Sequence, residues 1–360
     1  MRIAVAMSGG VDSLVAAHLL QRDGHDIFGV HFLTGFEALT RVDQAPNAER
    51  LLKKRIAAIR RMVERLGIPL EVIDLSEVFH STVAAYLIDT YGEGRTPNPC
   101  MVCNPEIKLG HLWRAARVNG AQALATGHYA IIRPDPDGRP GLFRGVDPSK
   151  DQSYFLARAT TKQLARTVFP LGRWRKPDVR ALARENNLQP AVTAESQDIC
   201  FIQDASYAAF MARHGGDPGQ PGPIHDVNGM QVGTHPGLHH FTVGQRRGIN
   251  VPASAPYYVV RIDRNTNRLI VGGKADLEVD RCQVTAINWI APPPLSPIAA
   301  TVKVRYRSPE IPAEVTPTGD ARADVAFETP VAAVTPGQGA VFYDGDRVLG
   351  GGCISSDTPR

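Results

Sequence analysis

The six residues Ser8-Gly9-Gly10-Val11-Asp12-Ser13 constrain this chain more than any other stretch. They separate a short apolar run, residues 2–7, from a segment in which Val11, Leu14, Val15, His18 and Leu19 recur at helical spacing until Gly24, a C-cap residue. A buried strand that turns through two glycines straight into a helix aims its backbone N–H groups at the space above the helix N-terminus, and such a nest binds an anion. The glycines let a phosphate approach the backbone, and the Ser8 and Ser13 hydroxyls add donors. The loop lacks the lysine of a Walker A sequence, so it is a phosphate site of another kind. The bland alternative is an ordinary strand-to-helix turn capped by serine and aspartate.

Alternation of strand and helix continues to about residue 127. Residues 27–33 and 69–75 read as buried strands and 121–126 as a short one. Residues 47–66 carry Leu52, Ile56, Ile59, Val63 and Leu66 on one helical stripe, and 76–91 and 106–118 also read as helices. A hairpin is expected around Asp137 and Gly138, then helices at 161–168, 177–187 and about 205–214. From 215 to 248 glycine and proline dominate and predict a loop-rich stretch; beyond Tyr257, short β-rich runs separated by turns, 301–306 among them, predict an antiparallel barrel or sandwich. The expected fold is α/β: a parallel-sheet domain over 1–210, a small α+β or β linker domain over 211–274, and a C-terminal β-barrel over 275–360.

Charge is nearly balanced, with 40 Lys and Arg against 36 Asp and Glu, which permits a nucleic-acid partner without implying one. No run approaches the roughly 18 apolar residues of a membrane span and no signal pattern opens the sequence, so no membrane is expected. Five cysteines argue against a secreted disulfide framework and for a reducing, cytoplasmic compartment where thiols act as ligands or reagents. Cys100 and Cys103 lie three apart in the proline-stiffened loop Thr96-Pro97-Asn98-Pro99-Cys100-Met101-Val102-Cys103-Asn104, and Cys200 stands far along in Ser196-Gln197-Asp198-Ile199-Cys200-Phe201. Such a pair is compatible with half a zinc site, a redox couple or two ligands of an iron–sulfur cluster. Cys282 and Cys353 read as packed core thiols.

In order along the chain, SGGVDS, TPNPC-x-x-CN, ATGHYA at 125–130, KDQSYFL at 150–156, SQDICFI at 196–202, HPGLHHFTVGQRRGI and RYR at 305–307 resemble the tRNA-specific 2-thiouridylases of the ATP pyrophosphatase superfamily. The resemblance implies an ATP pyrophosphatase first domain and a transferase that adenylates the C2 oxygen of the wobble uridine of tRNA, then replaces it with sulfur. Cys200 would carry a persulfide received from a sulfur-donor protein, a cysteine desulfurase or relay protein, and Cys103 would be the nucleophile. The terminal sulfur would attack C2 directly, or as hydrosulfide after Cys103 attacks the persulfide; the second route leaves a Cys103–Cys200 disulfide. ATP would sit on Ala6, Met7, Ser8, Gly9, Gly10, Val11, Asp12 and Ser13, with Phe32 and Gly127 completing the site and Asp12 holding Mg2+. The stretch from Leu33 to Asn47 departs from the family pattern.

Where the family commonly has aspartate, this chain has Cys100. Cys100, Cys103 and Cys200 therefore form an alternative ligand set for a [4Fe-4S] cluster. Family positions that contact tRNA map onto Asn98, Pro99, Cys100, His128, Lys150, Asp151, Gln152, Arg305, Tyr306 and Gln338. Read as a strand, residues 301–307 would present Thr301, Lys303, Arg305 and Arg307 as one basic face, and His235, His239 and His240 read as surface histidines. The rival readings are an amide-forming synthetase that uses the same phosphate loop, and a non-catalytic RNA-binding protein stapled by zinc.

Overall fold

The computed structural model describes residues 1–37, 48–192, 199–202, 207–216, 219–319 and 321–356. The chain divides into two compact units, one of Met1–Val83, Cys100–Gln203 and Asp346–Val348, the other of Ala84–Pro99, Asp204–Gly345 and Leu349–Arg360.

The first unit is built on a five-stranded sheet. Its strands are β1 (Arg2–Ala6), β2 (Asp26–Leu33), β3 (Leu70–Asp74), β4 (Ala123–Ala125) and, after a β5 (Ala130–Pro134) and β6 (Pro140–Arg144) hairpin, β7 (Thr167–Val168). They run in the order β3-β2-β1-β4-β7, every pair parallel. The chain steps outward from β1 to β3 and then returns to β1's other side with β4. That reversal opens a crevice at the carboxyl ends of β1 and β4, where ligands bind in folds of this class. Helix α1 (Val11–Arg22) follows β1 and ends at Gly24, whose φ of +79° suits a residue without Cβ. Helix α2 (Ala48–Glu64) lays Ile59, Met62 and Val63 on a core shared with Ile3, Val5, Leu14 and Leu20.

Three local expectations change. Between residues 76 and 92 the helix is interrupted: α3 (Ser76–Phe79) passes through a π turn at His80–Ala84 into α4 (Ala85–Gly92). The stretch from Pro99 is helical rather than a loop: α5 (Pro99–Cys103) continues through a π stretch, Asn104–Leu112, into α6 (Trp113–Val118). Pro99 opens it because the first turn of a helix needs no N–H from that residue. The helix expected at 161–168 stops after one turn, α8 (Thr161–Leu164), which follows α7 (Ser153–Leu156); Thr160 and Gln163 cap α8 reciprocally, and β-branched Thr167 and Val168 become the edge strand β7. Helix α9 (Lys176–Glu185) closes the unit's regular structure.

The second unit carries α10 (Tyr207–Arg213), of whose expected start residues 205 and 206 lie outside the described residues, and two separate β structures. The expected loop-rich stretch contains β8 (Gly222–Asp226) and β9 (Gln231–His235), which join β10 (Tyr258–Asp263) and β11 (Arg268–Gly272) in the order β10-β11-β8-β9. His235 is buried rather than at the surface, its Nε2 3.1 Å from the Asn267 carbonyl oxygen. Beyond it, β12 (Glu278–Trp289), β13 (Ile298–Lys303), β14 (Ile311–Gly319), β15 (Arg322–Ala332), β16 (Gly339–Asp344) and β17 (Arg347–Ile354) form a closed six-stranded barrel around Val284, Val302, Val315, Val325 and Phe342. Closure falls on β12, which bulges between Thr285 and Asn288 and so pairs with β15 on one side and β17 on the other. Strand β13 ends at Lys303, so the basic face expected over 301–307 does not form; Arg305, Tyr306 and Arg307 lie in a turn tied by Ser308, whose hydroxyl donates to the Arg305 carbonyl at 2.9 Å. Among the described residues, no helix is long and apolar enough to cross a membrane.

Candidate functional site

The glycine turn lies at the crevice the sheet order creates. Gly9 has φ of +93°, and Gly10 starts α1 with no side chain capping it, so the first N–H groups of the helix remain directed at the crevice. The two serines tie the turn to itself instead: the Ser13 hydroxyl donates to the Gly10 carbonyl at 2.9 Å, and the Ser8 hydroxyl stands 3.3 Å from Ser13 Oγ. Ala6 ends β1, and Met7 is fixed by a bond from its N–H to the Val30 carbonyl, 2.8 Å. Phe32 is half-buried near the end of β2, while residues 38–47 of the expected adenosine-gripping stretch lie outside the described residues. Gly127 sits against the same helix start. A Cβ there would lie 2.9 Å from the Asp12 carbonyl carbon and 3.0 Å from the Ser13 nitrogen, so only glycine lets β4 and α1 meet this closely.

Asp12 is engaged. Both of its carboxylate oxygens accept from the Lys176 ammonium at 2.7 Å, and Oδ1 also accepts from the Tyr129 hydroxyl at 2.7 Å. A carboxylate already neutralised and hydrogen-bonded in this way does not fit the expected role of magnesium ligand. Lys176 and Tyr129 escaped the sequence reading because neither lies in the loop; the only available signal was a lysine opening a Pro-marked helix.

Cys100 and Cys103 fall on one face of α5, since residues three apart on a helix are neighbours. Cys103 is 8% exposed, and burial pushes its thiol up to about 12 from an ordinary 9.0; the nearby Lys108 ammonium opposes the shift, while Cys200 and Cys100 add to it. Burial likewise raises Cys100 to about 11, Cys200 adding and Lys108 opposing. Both thiols thus feel Cys200, which is exposed on a turn closed by Ile202 N–H donating to the Ile199 carbonyl. The turn is anchored by its neighbour Phe201, buried in an aromatic cluster with Phe36 at 5.5 Å and Phe79 at 5.1 Å. Ser196, Gln197 and Asp198 lie outside the described residues. Among the described residues no three His, Cys, Asp or Glu side chains converge as a metal site, so the three thiols, as placed, do not form the ligand set of a cluster.

The contrast between these thiols has a chemical consequence. At pH 8, iodoacetamide is expected to modify Cys200 first and Cys103 at least about 100-fold more slowly, because burial raises the Cys103 thiol and denies the reagent access while Cys200 is exposed. Peptide mass spectrometry over time checks this; equal rates would mean that Cys103 is not held as a buried thiol.

The positions expected to contact tRNA divide into three kinds. Arg305 and Arg307 are exposed in their turn, where Lys303 Nζ stands 5.8 Å from the Tyr306 ring. Asn98 and Pro99 begin the thiol helix, and the Gln338 amide clamps the preceding loop by donating to the carbonyls of Thr96 at 3.3 Å and Pro97 at 3.0 Å. The rest are used inside the fold. Asp151 is buried and accepts from the N–H groups of Gly145 and Ser153 and from the Ser153 hydroxyl, while the Gln152 side chain accepts from the Tyr129 N–H. His128 is buried with Nδ1 2.6 Å from the Thr126 hydroxyl, and burial holds its pKa well below the usual 6.5, so the ring is neutral at physiological pH. Lys150 is half-buried, its N–H donating to the Asp147 carbonyl.

Comparison with known proteins matches residues 1–204 to a tRNA methyl transferase HUP domain, 208–273 to a tRNA methyl transferase PRC-barrel domain, and 279–354 to an aminomethyltransferase β-barrel domain. The chain is 48% identical to the tRNA-specific 2-thiouridylase MnmA of Desulfosudis oleivorans over 99% of its own length and 95% of that protein's. It is 44% identical to the MnmA of Geotalea uraniireducens, covering 98% of this chain and 94% of the relative, and 45% identical to that of Syntrophotalea carbinolica, covering 98% of each. Among solved structures, the U34-tRNA thiolase NcsA from Methanococcus maripaludis with its [4Fe-4S] cluster aligns at a TM-score of 0.34 and 16% identity over 59% of this chain and 63% of that one, a likeness too low to carry an argument. Identity of this extent along the whole chain, with the domain match over residues 1–204, makes the chain a member of the tRNA-specific 2-thiouridylase family, whose members thiolate tRNA.

Proposed function

We propose that the protein thiolates C2 of the wobble uridine, position 34, in tRNA by adenylation followed by transfer of persulfide sulfur. ATP is the co-substrate and its phosphates take the nest from Ala6 to Ser13. The C2 oxygen attacks the α-phosphorus, pyrophosphate leaves, and an oxygen that was a poor leaving group now departs as AMP. Cys200, exposed on its anchored turn, accepts the terminal sulfur from a donor protein. The Cys103 thiolate attacks the Cys200 sulfur, the S–S bond breaks, and hydrosulfide is released beside the activated carbon as a Cys103–Cys200 disulfide forms. Hydrosulfide adds at C2, the C–O bond breaks toward AMP, and the base keeps the sulfur. An external dithiol supplies the two electrons that reopen the disulfide.

The observation that carries this reading is the grouping, in one unit, of an uncapped phosphate nest with three thiols, Cys103 buried, Cys100 half-buried and Cys200 exposed. Asn98, Pro99, Cys100, Lys150, Arg305 and Tyr306 are the candidate tRNA contacts, with Asp151, Gln152 and Gln338 holding the segments that present them. The expected result is steady-state pyrophosphate release from ATP that requires unmodified tRNA, a persulfide donor and Cys103. Hydrolysis of ATP only to ADP under those conditions overturns the proposal.

A further inference from the structure

Charge is nearly balanced over the whole chain, yet residues 107–134 and 152–177 contain no Asp or Glu at all. The first unit brings these two segments together, since β4 and β7 pair in parallel through Leu124 and Thr167. Where they meet, α6 sets Arg114 and Arg117 three residues apart on one helical face. Arg166 comes from the residue before β7, its carbonyl accepting from the Leu124 N–H at 2.9 Å. With Trp113 and Val118 the three arginines line an open depression of about 450 Å3. The fold supplies no counter-charge: among the described residues none of the three has a carboxylate partner. Arg114 and Arg117 are exposed, the Arg114 guanidinium standing 3.3 Å from His111 Nε2. Arg166 is half-buried 5.1 Å from the Trp113 ring centre, and its Nε is buried without a hydrogen-bond partner. Burial, then the charges of Arg114 and Arg117, lower its pKa from the ordinary 12.5. A cation in the last turn of α6 suits the helix dipole, which accounts for Arg117 but not for Arg166, which lies off that helix.

Three crowded, uncompensated guanidiniums are completed by an anion from outside, and their forked donors match phosphate oxygens. The family modifies tRNA, which carries a phosphate at every nucleotide. An acidic protein segment offers the same sign of charge but finds little to anchor on: Trp113 is 6% exposed, and Val118 is the one apolar side chain standing free in the depression, at 87%. Position agrees with RNA. From Cys103 to Arg114 the chain is one helical run through α5, the π stretch and α6, so eleven residues put the arginines about 16 Å along the rod from the thiol. We propose that Arg114, Arg117 and Arg166 bind the sugar–phosphate backbone of the tRNA on the flank of the first unit, away from the base being modified. Their distance from the reacting base rests on the reading that the wobble uridine meets Cys103, whereas the choice of tRNA rests on the family alone.

Fluorescence anisotropy of unmodified tRNA on the full chain, from about 50 to 300 mM KCl, tests the proposal. Arg114→Gln with Arg117→Gln changes two exposed side chains and leaves the fold intact. This double variant is expected to bind tRNA about tenfold or more weakly at about 100 mM salt, and to lose about 2 from the slope of log affinity against log salt, about one for each phosphate contact removed. Arg22→Gln with Arg184→Gln removes the same charge from two other exposed positions of the unit and is expected to weaken tRNA less than about threefold. Wild-type affinity and slope in the first double variant overturn the proposal. Equal losses in the two double variants also overturn it, because they reduce the cluster to net charge. So does a polyglutamate probe that binds the wild-type protein more tightly than tRNA and loses that advantage with Arg114 and Arg117, since the depression then belongs to an acidic protein. If the first double variant loses tRNA while Cys103→Ser still thiolates it, the arginines stand as a tRNA surface and the reading of Cys103 alone falls.

Discussion

A Cys103→Ser variant is expected to release about one equivalent of pyrophosphate per active site when mixed with ATP and unmodified tRNA, and then to stop, with 2-thiouridine formation at least about 1000-fold below wild type. On the proposed route adenylation uses the nest and the tRNA, neither of which the substitution touches. On the proposed route sulfur transfer needs a thiolate that attacks a persulfide, which a serine hydroxyl cannot do near neutral pH. Rapid-quench measurement of pyrophosphate, paired with mass spectrometry of wobble nucleosides, separates the two steps. Retention of a tenth or more of the thiolation rate would remove Cys103 from the nucleophile's place.

The same residue carries a pH signature. Burial raises the Cys103 thiol to about 12, so the thiolate is the minor form at neutral pH and its fraction grows about tenfold per pH unit. Single-turnover sulfur transfer is therefore expected to accelerate with pH from about 7 to 9, where the thiol is still mostly protonated. Lys108 favours the thiolate, and Lys108→Met should push the thiol higher and slow transfer across that range. The sign is opposite for stability: a thiol whose pKa is raised by folding contributes its full share below about 9 and loses it as pH climbs toward 12.

Sequence made the nest legible because its requirements are local: two glycines, a strand before, a helix after. It also made the parallel sheet legible, since alternating apolar runs and helical stripes leave few topologies. What escaped depended on distant partners or on where an element stops. Thr96 to Asn104 reads as a loop because of its two prolines, yet Pro99 is tolerated at the first turn of a helix and the thiols end up on one helical face. The alternation through Arg305 and Arg307 reads as a strand, but β13 leaves its partners at Lys303 and Ser308 folds the chain into a turn. His235 looks like one of three loop histidines and is instead packed against Phe241 at 6.0 Å. Phe36 and Phe201, 165 positions apart, together hold Cys200's turn, and nothing in either neighbourhood signals the other. Asp12 reads as a metal ligand only while Lys176 is out of sight.

Gly172 offers the largest expected effect on folding, and through folding on the site. It lies between β7 and α9, and a Cβ added there would come within 2.0 Å of the Ala130 carbonyl oxygen and 2.8 Å of its carbon, both backbone atoms of β5. No rotamer relieves such a contact, because the obstacle is a strand and not the end of a flexible side chain. The glycine carbonyl also accepts from the Val146 N–H at 2.9 Å, so the turn cannot simply swing outward without breaking a bond. Overpacking typically costs about 1–3 kcal/mol, and a clash between two backbones belongs at or above the upper end. Gly172→Ala is therefore expected to lose about 3 kcal/mol or more in urea unfolding. The strain falls on the segment that leads to Lys176 and on the strand that follows Tyr129, which together set the ammonium on Asp12. The variant should consequently lose ATP affinity even at temperatures where it stays folded, while Gly138→Ala, with nothing within 4 Å of its added carbon and only its φ of +76° to strain, should keep ATP affinity at a stability cost of about 1 kcal/mol. Equal stability losses in the two variants would show that the β5 contact yields more easily than its geometry implies.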